Sequence, residues 1–123
     1  MYRVEYLAYK NRIYAQATGA LTVSDVKNYV KEITDIIHQR VREQWTFFAD
    51  LRGMDQLNDE CYVEINKLRQ VMLSSPHRLK KSAVVVDNLI NQIKSAKAMN
   101  ALEETFTEEY FLHPKQAEDF LDE

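Results

Sequence analysis

The sequence predicts an α/β fold in which an N-terminal β-hairpin is followed by four successive β-α units. Apolar and polar residues alternate over the first 18 positions, two short apolar runs lie near the middle of the chain, and between these runs apolar residues recur every three or four positions. Because parallel strands are joined by right-handed crossovers, these units should form a largely parallel sheet flanked by helices.

The hairpin is the first predicted element. Residues 2–9 and 13–18 alternate as two strands, which meet at a turn of Lys10, Asn11 and Arg12. Thr22, with Asp25 three positions later, then predicts the capped start of a first helix. The buried stripe of this helix is expected to contain Val26, Tyr29, Val30, Ile33, Ile36 and Ile37.

The middle of the chain predicts a second pair of strand and helix. Residues 45–49 are apolar and aromatic without alternation, which is typical of a central strand covered on both faces. Asn58 predicts the cap of the second helix, and the Ser-Ser-Pro run at residues 74–76 predicts its end. One side of this helix carries Tyr62, Ile65, Leu68, Arg69 and Met72.

The alternation continues to the end of the chain. Residues 82–86 predict another buried strand, after which Asp87 or Asn88 caps a third helix that carries Leu89, Ile90, Ile93, Ala96 and Leu102. Residues 105–111 alternate weakly as a last strand. Pro114 suits the first position of a final helix, where a missing N–H costs nothing, and its inward residues are Ala117, Phe120 and Leu121.

Composition restricts the classes of function. The chain has 123 residues, 46% of them hydrophobic, which suffices for one core, so we expect a single domain over residues 1–123. The first residues lack a signal-peptide pattern and no stretch approaches the roughly 20 apolar residues that span a bilayer. We therefore expect a cytoplasmic protein without membrane insertion. A net charge of −3 gives no general attraction to nucleic acid.

The chain is poor in the residues that build cofactor sites. It contains two isolated glycines, Gly19 and Gly53, whereas a phosphate-binding loop needs several glycines close together. Its single cysteine, Cys61, leaves no partner for a disulfide or a cysteine-based zinc site. We therefore expect no cofactor and no metal, and we expect Cys61 to be a small buried residue.

Polar residues crowd the segment that follows the central strand, and others follow the next strand along the chain. They are Asp50, Arg52, Asp55, Asn58 and Asp59 in the first group and Asp87 and Asn88 in the second. Ligands bind beyond the carboxyl ends of parallel strands, so these side chains are candidates for a binding crevice. Alternatively, they cap helices and close turns. A third interpretation is hydrolase or transferase chemistry that uses the carboxylates of Asp50, Asp55, Asp59 and Asp87 with Arg52 as an anion clamp. These acids specify no reaction, so we expect no enzyme.

The run Asp50-Leu51-Arg52-Gly53 resembles the strand ending of STAS and SpoIIAA-like domains. The resemblance extends over nearly the whole chain by element order, including Gly19-Ala20-Leu21-Thr22 before the first helix. It implies a SpoIIAA-like (STAS-like) fold and a binding or regulatory module. The regulators of this family carry a phosphorylated serine where this chain has Asn58-Asp59-Glu60-Cys61, so the resemblance does not imply the phosphorylation switch.

Two functions of different classes follow. In the first, Asp59 supplies a fixed negative charge in place of a phosphoserine, and the surface around the second helix binds an unknown protein partner. In the alternative, a groove beside the second helix carries or senses a small nonpolar molecule, by analogy with the similar fold of lipid-carrying CRAL-TRIO domains. The groove candidates are Met54, Leu57, Tyr62, Leu89 and Ile93.

Two further surfaces are open to interpretation. Residues 101–123 hold eight acidic residues against Lys115 alone, which indicates either a solvated acidic surface or, less simply, an acidic docking face. Tyr9 and Tyr14 of the hairpin are candidates for the contact surface of a homodimer. Alternatively, they are half-buried tyrosines of a strand surface.

Overall fold

The structure is a computed structural model that describes residues 1–88 and 107–123. In that part of the chain, five strands form one sheet in the order β1-β2-β3-β4-β5, with β1 antiparallel to β2 and the remaining neighbours parallel. The elements are β1 (Tyr2–Leu7), β2 (Arg12–Ala17), α1 (Val23–Gln39), β3 (Trp45–Asp50), α2 (Asp59–Ser74), β4 (Leu79–Val85), β5 (Thr107–Phe111) and α3 (Pro114–Asp122). The predicted hairpin and largely parallel sheet are confirmed, whereas the predicted helix with Leu89 and Ile93 lies outside the described residues.

The hairpin turn lies earlier in the chain than the sequence indicated, at residues 8–11 instead of 10–12. Arg12 is not a turn residue but the first residue of β2, where it pairs with Leu7 and is buried. The turn itself is built around Asn11, which has a positive φ of 51° and whose amide oxygen accepts from the backbone N–H of Arg42 at 2.9 Å. A buried arginine was not expected here, because the acids that neutralise it lie more than 100 residues later in the chain.

Helix α1 follows its predicted pattern. The Thr22 hydroxyl accepts from the backbone N–H of Asp25 at 3.1 Å, and the Asp25 carboxylate accepts from the backbone N–H of Thr22 at 3.0 Å. These reciprocal bonds form a capping box. The predicted stripe is buried except for Ile36, which is half-buried.

The central strand β3 is buried from Trp45 to Ala49, as predicted. The neighbouring strand β4 begins at Leu79, three residues before its predicted start, because the two lysines at positions 80 and 81 lie in the strand rather than in a loop. The ammonium of Lys81 lies 4.6 Å from the ring centroid of Phe120 and donates to the Phe120 carbonyl at 2.9 Å. This helix contact lets a charged residue enter the strand.

The sheet has two faces with different coverings. Side chains of alternating residues such as Ile13, Phe47 and Val84 face α1 and α2, which pack side by side. The intervening residues, such as Phe48 and Ala83, face α3 together with its buried residues Ala117 and Leu121. Among the described helices, none is long and apolar enough to cross a bilayer.

Candidate functional site

The polar residues after β3 are held together by their own hydrogen bonds. Arg52 donates twice to the Asp50 carboxylate, from Nε to Oδ1 at 3.0 Å and from Nη2 to Oδ2 at 2.8 Å. Partial burial alone would raise the pKa of Asp50, but the hydrogen bonds and charge of Arg52 outweigh it and hold that pKa below its usual value. Asp50 is therefore a charged partner of Arg52 at neutral pH.

Asp87 and the glycines complete this loop cluster. The Asp87 carboxylate accepts from the backbone N–H of Gly53 at 2.6 Å, so the end of β4 braces the loop after β3. The backbone N–H of Gly19 donates to the Gly53 carbonyl at 2.8 Å. Gly19 and Gly53 have φ of 71° and 75°, a left-handed conformation in which a side chain is strained. The backbone conformation therefore explains why the Asp50-Leu51-Arg52-Gly53 run ends in glycine.

The remaining polar candidates differ in their surroundings. The Asn58 amide oxygen accepts from the backbone N–H of Cys61 at 2.9 Å, which makes Asn58 the N-cap of α2. Asp55, Asp59 and Asn88 are exposed. Cys61 is fully buried, as predicted. In residues 1–88 and 107–123, no group of three or more histidine, cysteine or acidic side chains is arranged to hold a metal ion.

A cavity of about 120 Å³ lies between the α1/α2 face of the sheet and α2. Three residues of the predicted groove, Met54, Leu57 and Tyr62, line it, while Leu89 and Ile93 lie outside the described residues. The rest of its wall is mostly apolar and comes from every layer of this half of the molecule: Ala17 and Leu21, Val26 and Tyr29, Phe47, Ala49 and Leu51, Ile65, Leu68 and Met72, and Val84.

One ion pair stands in this apolar wall. Arg69 of α2 donates to Glu108 of β5, from Nη2 to Oε2 at 2.7 Å, and the two side chains are 13% and 8% exposed. The hydroxyl of Ser82 donates to the other carboxylate oxygen at 3.0 Å. The pair joins α2 to the last strand and contributes no net charge to the cavity.

Two tyrosines of the wall, Tyr29 and Tyr110, are also uncharged. Burial, together with the negative charge of Glu108, raises the pKa of Tyr110 to about 12. Burial likewise raises the pKa of Tyr29 well above its ordinary value. Both phenols are therefore neutral at physiological pH, and the described wall suits an uncharged molecule better than an ion.

Sequence reasoning missed the ion pair, although a signal was present. Arg69 falls within the apolar stripe of α2, and Glu108 is an inward position of the alternating residues 105–111. An arginine and a glutamate on faces that are otherwise buried indicate a buried pair. The acidic C-terminal region is thus not only a solvated surface, because Glu108 pairs with Arg69, and Glu118 and Asp122 pair with Arg12.

The two hairpin tyrosines lie in different environments. Tyr9 is 80% exposed. Tyr14 is half-buried, with its ring 5.2 Å from that of Phe48 and its hydroxyl accepting from Arg12 at 3.3 Å. Of the two, Tyr9 presents the larger free surface.

Comparison with known proteins identifies the fold. No family model matches the chain, and no curated protein matches it. A crystal structure of an uncharacterized protein from the DUF3478 family, with a SpoIIAA-like fold, from Shewanella loihica, is similar, with a TM-score of 0.74 and 16% sequence identity. The similarity covers 98% of this chain and 92% of that chain. The architecture implied by the Asp50-Leu51-Arg52-Gly53 resemblance is confirmed: the chain has a SpoIIAA-like fold.

Proposed function

We propose that this chain is a non-enzymatic binding module that holds a small, uncharged, nonpolar molecule in the cavity beside α2. The cavity is the observation that carries this proposal. Its volume of about 120 Å³ is comparable with that of engineered apolar cavities, on the order of 150 Å³, which bind benzene. A ring or a short branched hydrocarbon group is therefore the size of molecule that we expect.

The chemistry of the wall supports an uncharged ligand. The Arg69–Glu108 pair is internally neutralised at 2.7 Å, and the buried phenols of Tyr29 and Tyr110 keep their protons. A charged ligand would lose its hydration without gaining an uncompensated opposite charge among these residues. An apolar ligand loses only its contact with water, which favours binding.

The contacts around Asp50 support binding rather than catalysis. Asp50 and Arg52 neutralise each other, and Asp87 accepts from the Gly53 backbone. These hydrogen bonds are made to Arg52 and Gly53 of the same loop. They agree with the interpretation that the polar residues after β3 and β4 close turns. A hydrolytic mechanism that used Asp50 as a base would first have to break its two bonds to Arg52.

Native mass spectrometry of the freshly purified protein, compared with its denatured mass, tests the proposal directly. A carried molecule appears as extra mass that is lost on denaturation. Benzene, used as a probe on the same protein after removal of any such mass, is expected to shift the methyl resonances of Met54 and Met72, which line the cavity, and not that of the exposed Met1. Unchanged Met54 and Met72 resonances at saturating benzene would contradict the proposal.

Filling the cavity sharpens this test. Ala49 is buried and lines the cavity, so Ala49→Ile should occupy part of it and weaken benzene binding by about tenfold or more. The matched control is Ala20→Ile, because Ala20 is exposed and does not line the cavity. Benzene affinity that survives Ala49→Ile unchanged would place the probe elsewhere.

The start of α2 supports a second candidate, a docking surface for a protein partner. Asn58 already caps the helix, and no hydrogen bond or ion pair of the described residues uses the exposed Asp59 carboxylate. A fixed charge of −1 therefore faces solvent where a phosphoserine would bring about −1.5 to −2. Against a partner identified by cross-linking, Asp59→Lys should abolish binding while Asp119→Lys, on α3, should not. Binding that tolerates Asp59→Lys would exclude this surface.

A further inference from the structure

Strand β1 is the first strand of the sheet, and within residues 1–88 and 107–123 no strand pairs with its outer side. Met1 and Thr18 exchange both backbone hydrogen bonds, at 3.0 and 2.9 Å. In an antiparallel pair, bonded and unbonded positions alternate, so the odd residues of β1 bond to β2. The backbone N–H and C=O groups of Tyr2, Val4 and Tyr6 therefore point away from β2, and no hydrogen bond of the described residues uses them.

This edge lacks several of the features by which proteins protect an open strand. The six residues of β1 include neither proline nor lysine, and the register with β2 is continuous from Tyr2 to Leu7 without a bulge. The two charged residues, Arg3 and Glu5, have opposite signs and lie on the same face of the strand, where the Arg3 guanidinium donates to the Glu5 carboxylate of the same chain. Their side chains are 72% and 54% exposed.

We propose that β1 pairs antiparallel with β1 of a second copy of this chain, around a two-fold axis at Val4, so that the two sheets join into one. In this register the outward backbone groups of Val4 meet those of Val4 in the second copy, and those of Tyr2 meet those of Tyr6. All six backbone groups that β2 leaves unused thereby gain partners.

Charge selects this register over its neighbours. The outward backbone groups belong to even-numbered residues, so an even-numbered residue of one copy can bond only to an even-numbered residue of the other. Besides Val4, the nearest positions of the two-fold axis that meet this condition are Arg3 and Glu5. An axis at Arg3 would oppose arginine to arginine, and an axis at Glu5 would oppose glutamate to glutamate. The axis at Val4 opposes each Arg3 to a Glu5 of the second copy, in positions where side chains approach most closely.

The aromatic face agrees with the same register. The ring of Tyr2 meets that of Tyr29 edge-on at 5.9 Å, and the guanidinium of Arg40 lies 5.0 Å from the Tyr6 ring centroid. Both rings are thus already held on the α1 face and are half-buried. In the joined sheet, each Tyr2 lies opposite a Tyr6, a type of cross-strand aromatic pair that stabilises antiparallel strands.

This surface differs from the exposed Tyr9 and from the ligand cavity. It uses the backbone edge of β1, whereas the cavity is lined by residues of other elements. The inference therefore does not depend on the proposed ligand, and either proposal is able to fail alone.

Charge exchange tests the pairing by sedimentation velocity over a concentration series up to about 1 mM. Arg3→Glu and Glu5→Arg should each weaken dimer formation by about tenfold or more, because each places like charges opposite one another. An equimolar mixture of the two variants should form a heterodimer about as tightly as the parent pairs with itself, because every opposed pair is again of opposite sign. Both substitutions are on exposed side chains, so folding should be preserved.

Val4→Pro supplies a second test that does not rely on charge. Proline removes the outward N–H at the axis but no bond to β2, whereas the control Val4→Ala keeps that N–H. We expect dimer formation to be lost in Val4→Pro and retained in Val4→Ala. A parent chain that stays monomeric up to about 1 mM, or a mixture of charge variants that does not associate, would overturn the proposal.

Discussion

The two faces of the sheet are held by different kinds of interaction. On one face, α1 and α2 cover a large apolar cluster that still contains a cavity of about 120 Å³. On the other, α3 covers a small cluster, and its last turns are fastened to the sheet by ion pairs from Arg12 to Glu118 and Asp122, both at 2.9 Å. A large interface tolerates imperfect packing, whereas a nine-residue helix needs specific contacts to stay in place.

Arg12 should therefore be the most sensitive position on the α3 face. Its guanidinium also donates to the Thr46 hydroxyl at 2.8 Å and is itself buried. Arg12→Ala should lower the free energy of unfolding by about 2–4 kcal/mol, because it removes packing and leaves two carboxylates without their main partner. Urea denaturation measures the change.

A methionine at the same position separates the two causes. Arg12→Met keeps most of the apolar packing and removes the charge, so it should cost less than Arg12→Ala. Equal losses from both substitutions would mean that the ion pairs, and not the packing of the side chain, account for the effect. No loss from either would show that α3 is held by its apolar residues alone.

Adding volume should affect the stability of the two faces to different degrees. Ala83 is fully buried on the α3 face, so Ala83→Ile should destabilise the protein by about 1–3 kcal/mol through overpacking. Ala49 borders the cavity, and Ala49→Ile should change stability by less than about 1 kcal/mol. Thermal unfolding of both variants compares the faces directly, and similar losses would mean that the cavity cannot accept the added atoms.

The N-cap side chains of α2 and α3 should also contribute differently to stability. Asn58 caps α2 through the Cys61 backbone, so Asn58→Ala should cost about 1 kcal/mol. His113, at the same position of α3, makes no side-chain capping bond. His113→Ala should therefore leave the urea midpoint nearly unchanged, and a loss equal to that of Asn58→Ala would contradict this assignment.

The smallest expected effect is in the pH dependence of the α3 face. The hydrogen bond and charge of Arg12 hold the pKa of Asp122 below its usual value. A carboxyl whose pKa is lower in the folded state stabilises that state above its unfolded pKa of about 3.9 and loses this contribution as the pH falls through the folded pKa. Stability measured between about pH 5 and pH 2 should thus fall less steeply in Asp122→Asn than in the parent. Identical slopes would show that this carboxyl contributes nothing to acid unfolding.

Local sequence patterns predicted most of the elements because their causes are local. The capping bonds of Thr22 and Asn58 span three residues, and the burial of Trp45 to Ala49 follows from an uninterrupted apolar run. The glycine of the Asp50-Leu51-Arg52-Gly53 run likewise answers a local backbone requirement, a φ of 75°. These features need no knowledge of the rest of the chain.

Contacts between distant residues could not be predicted in the same way. Arg12 was predicted to lie in the hairpin turn. The sequence gives no local sign that it is buried, because its partners Glu118 and Asp122 are 106 and 110 positions later in the chain. Arg69 was expected on the buried side of α2, but its pairing with Glu108 depends on β5 lying beside β4. Two of the groove candidates, Leu89 and Ile93, are not among the described residues, so that part of the prediction stays a prediction.

The sequence by itself determined the order of the described strands and helices, because apolar periodicity and capping residues act over a few positions. Only the tertiary structure decided how well the two faces of the sheet are filled, since that depends on which side chains meet across the layers. It therefore also decided where the cavity lies and how Arg12 and Arg69 are neutralised. The proposed pairing of β1 depends on both kinds of information. The charges of the strand can be read in the sequence, but its unused backbone groups are apparent only once β2 lies beside it.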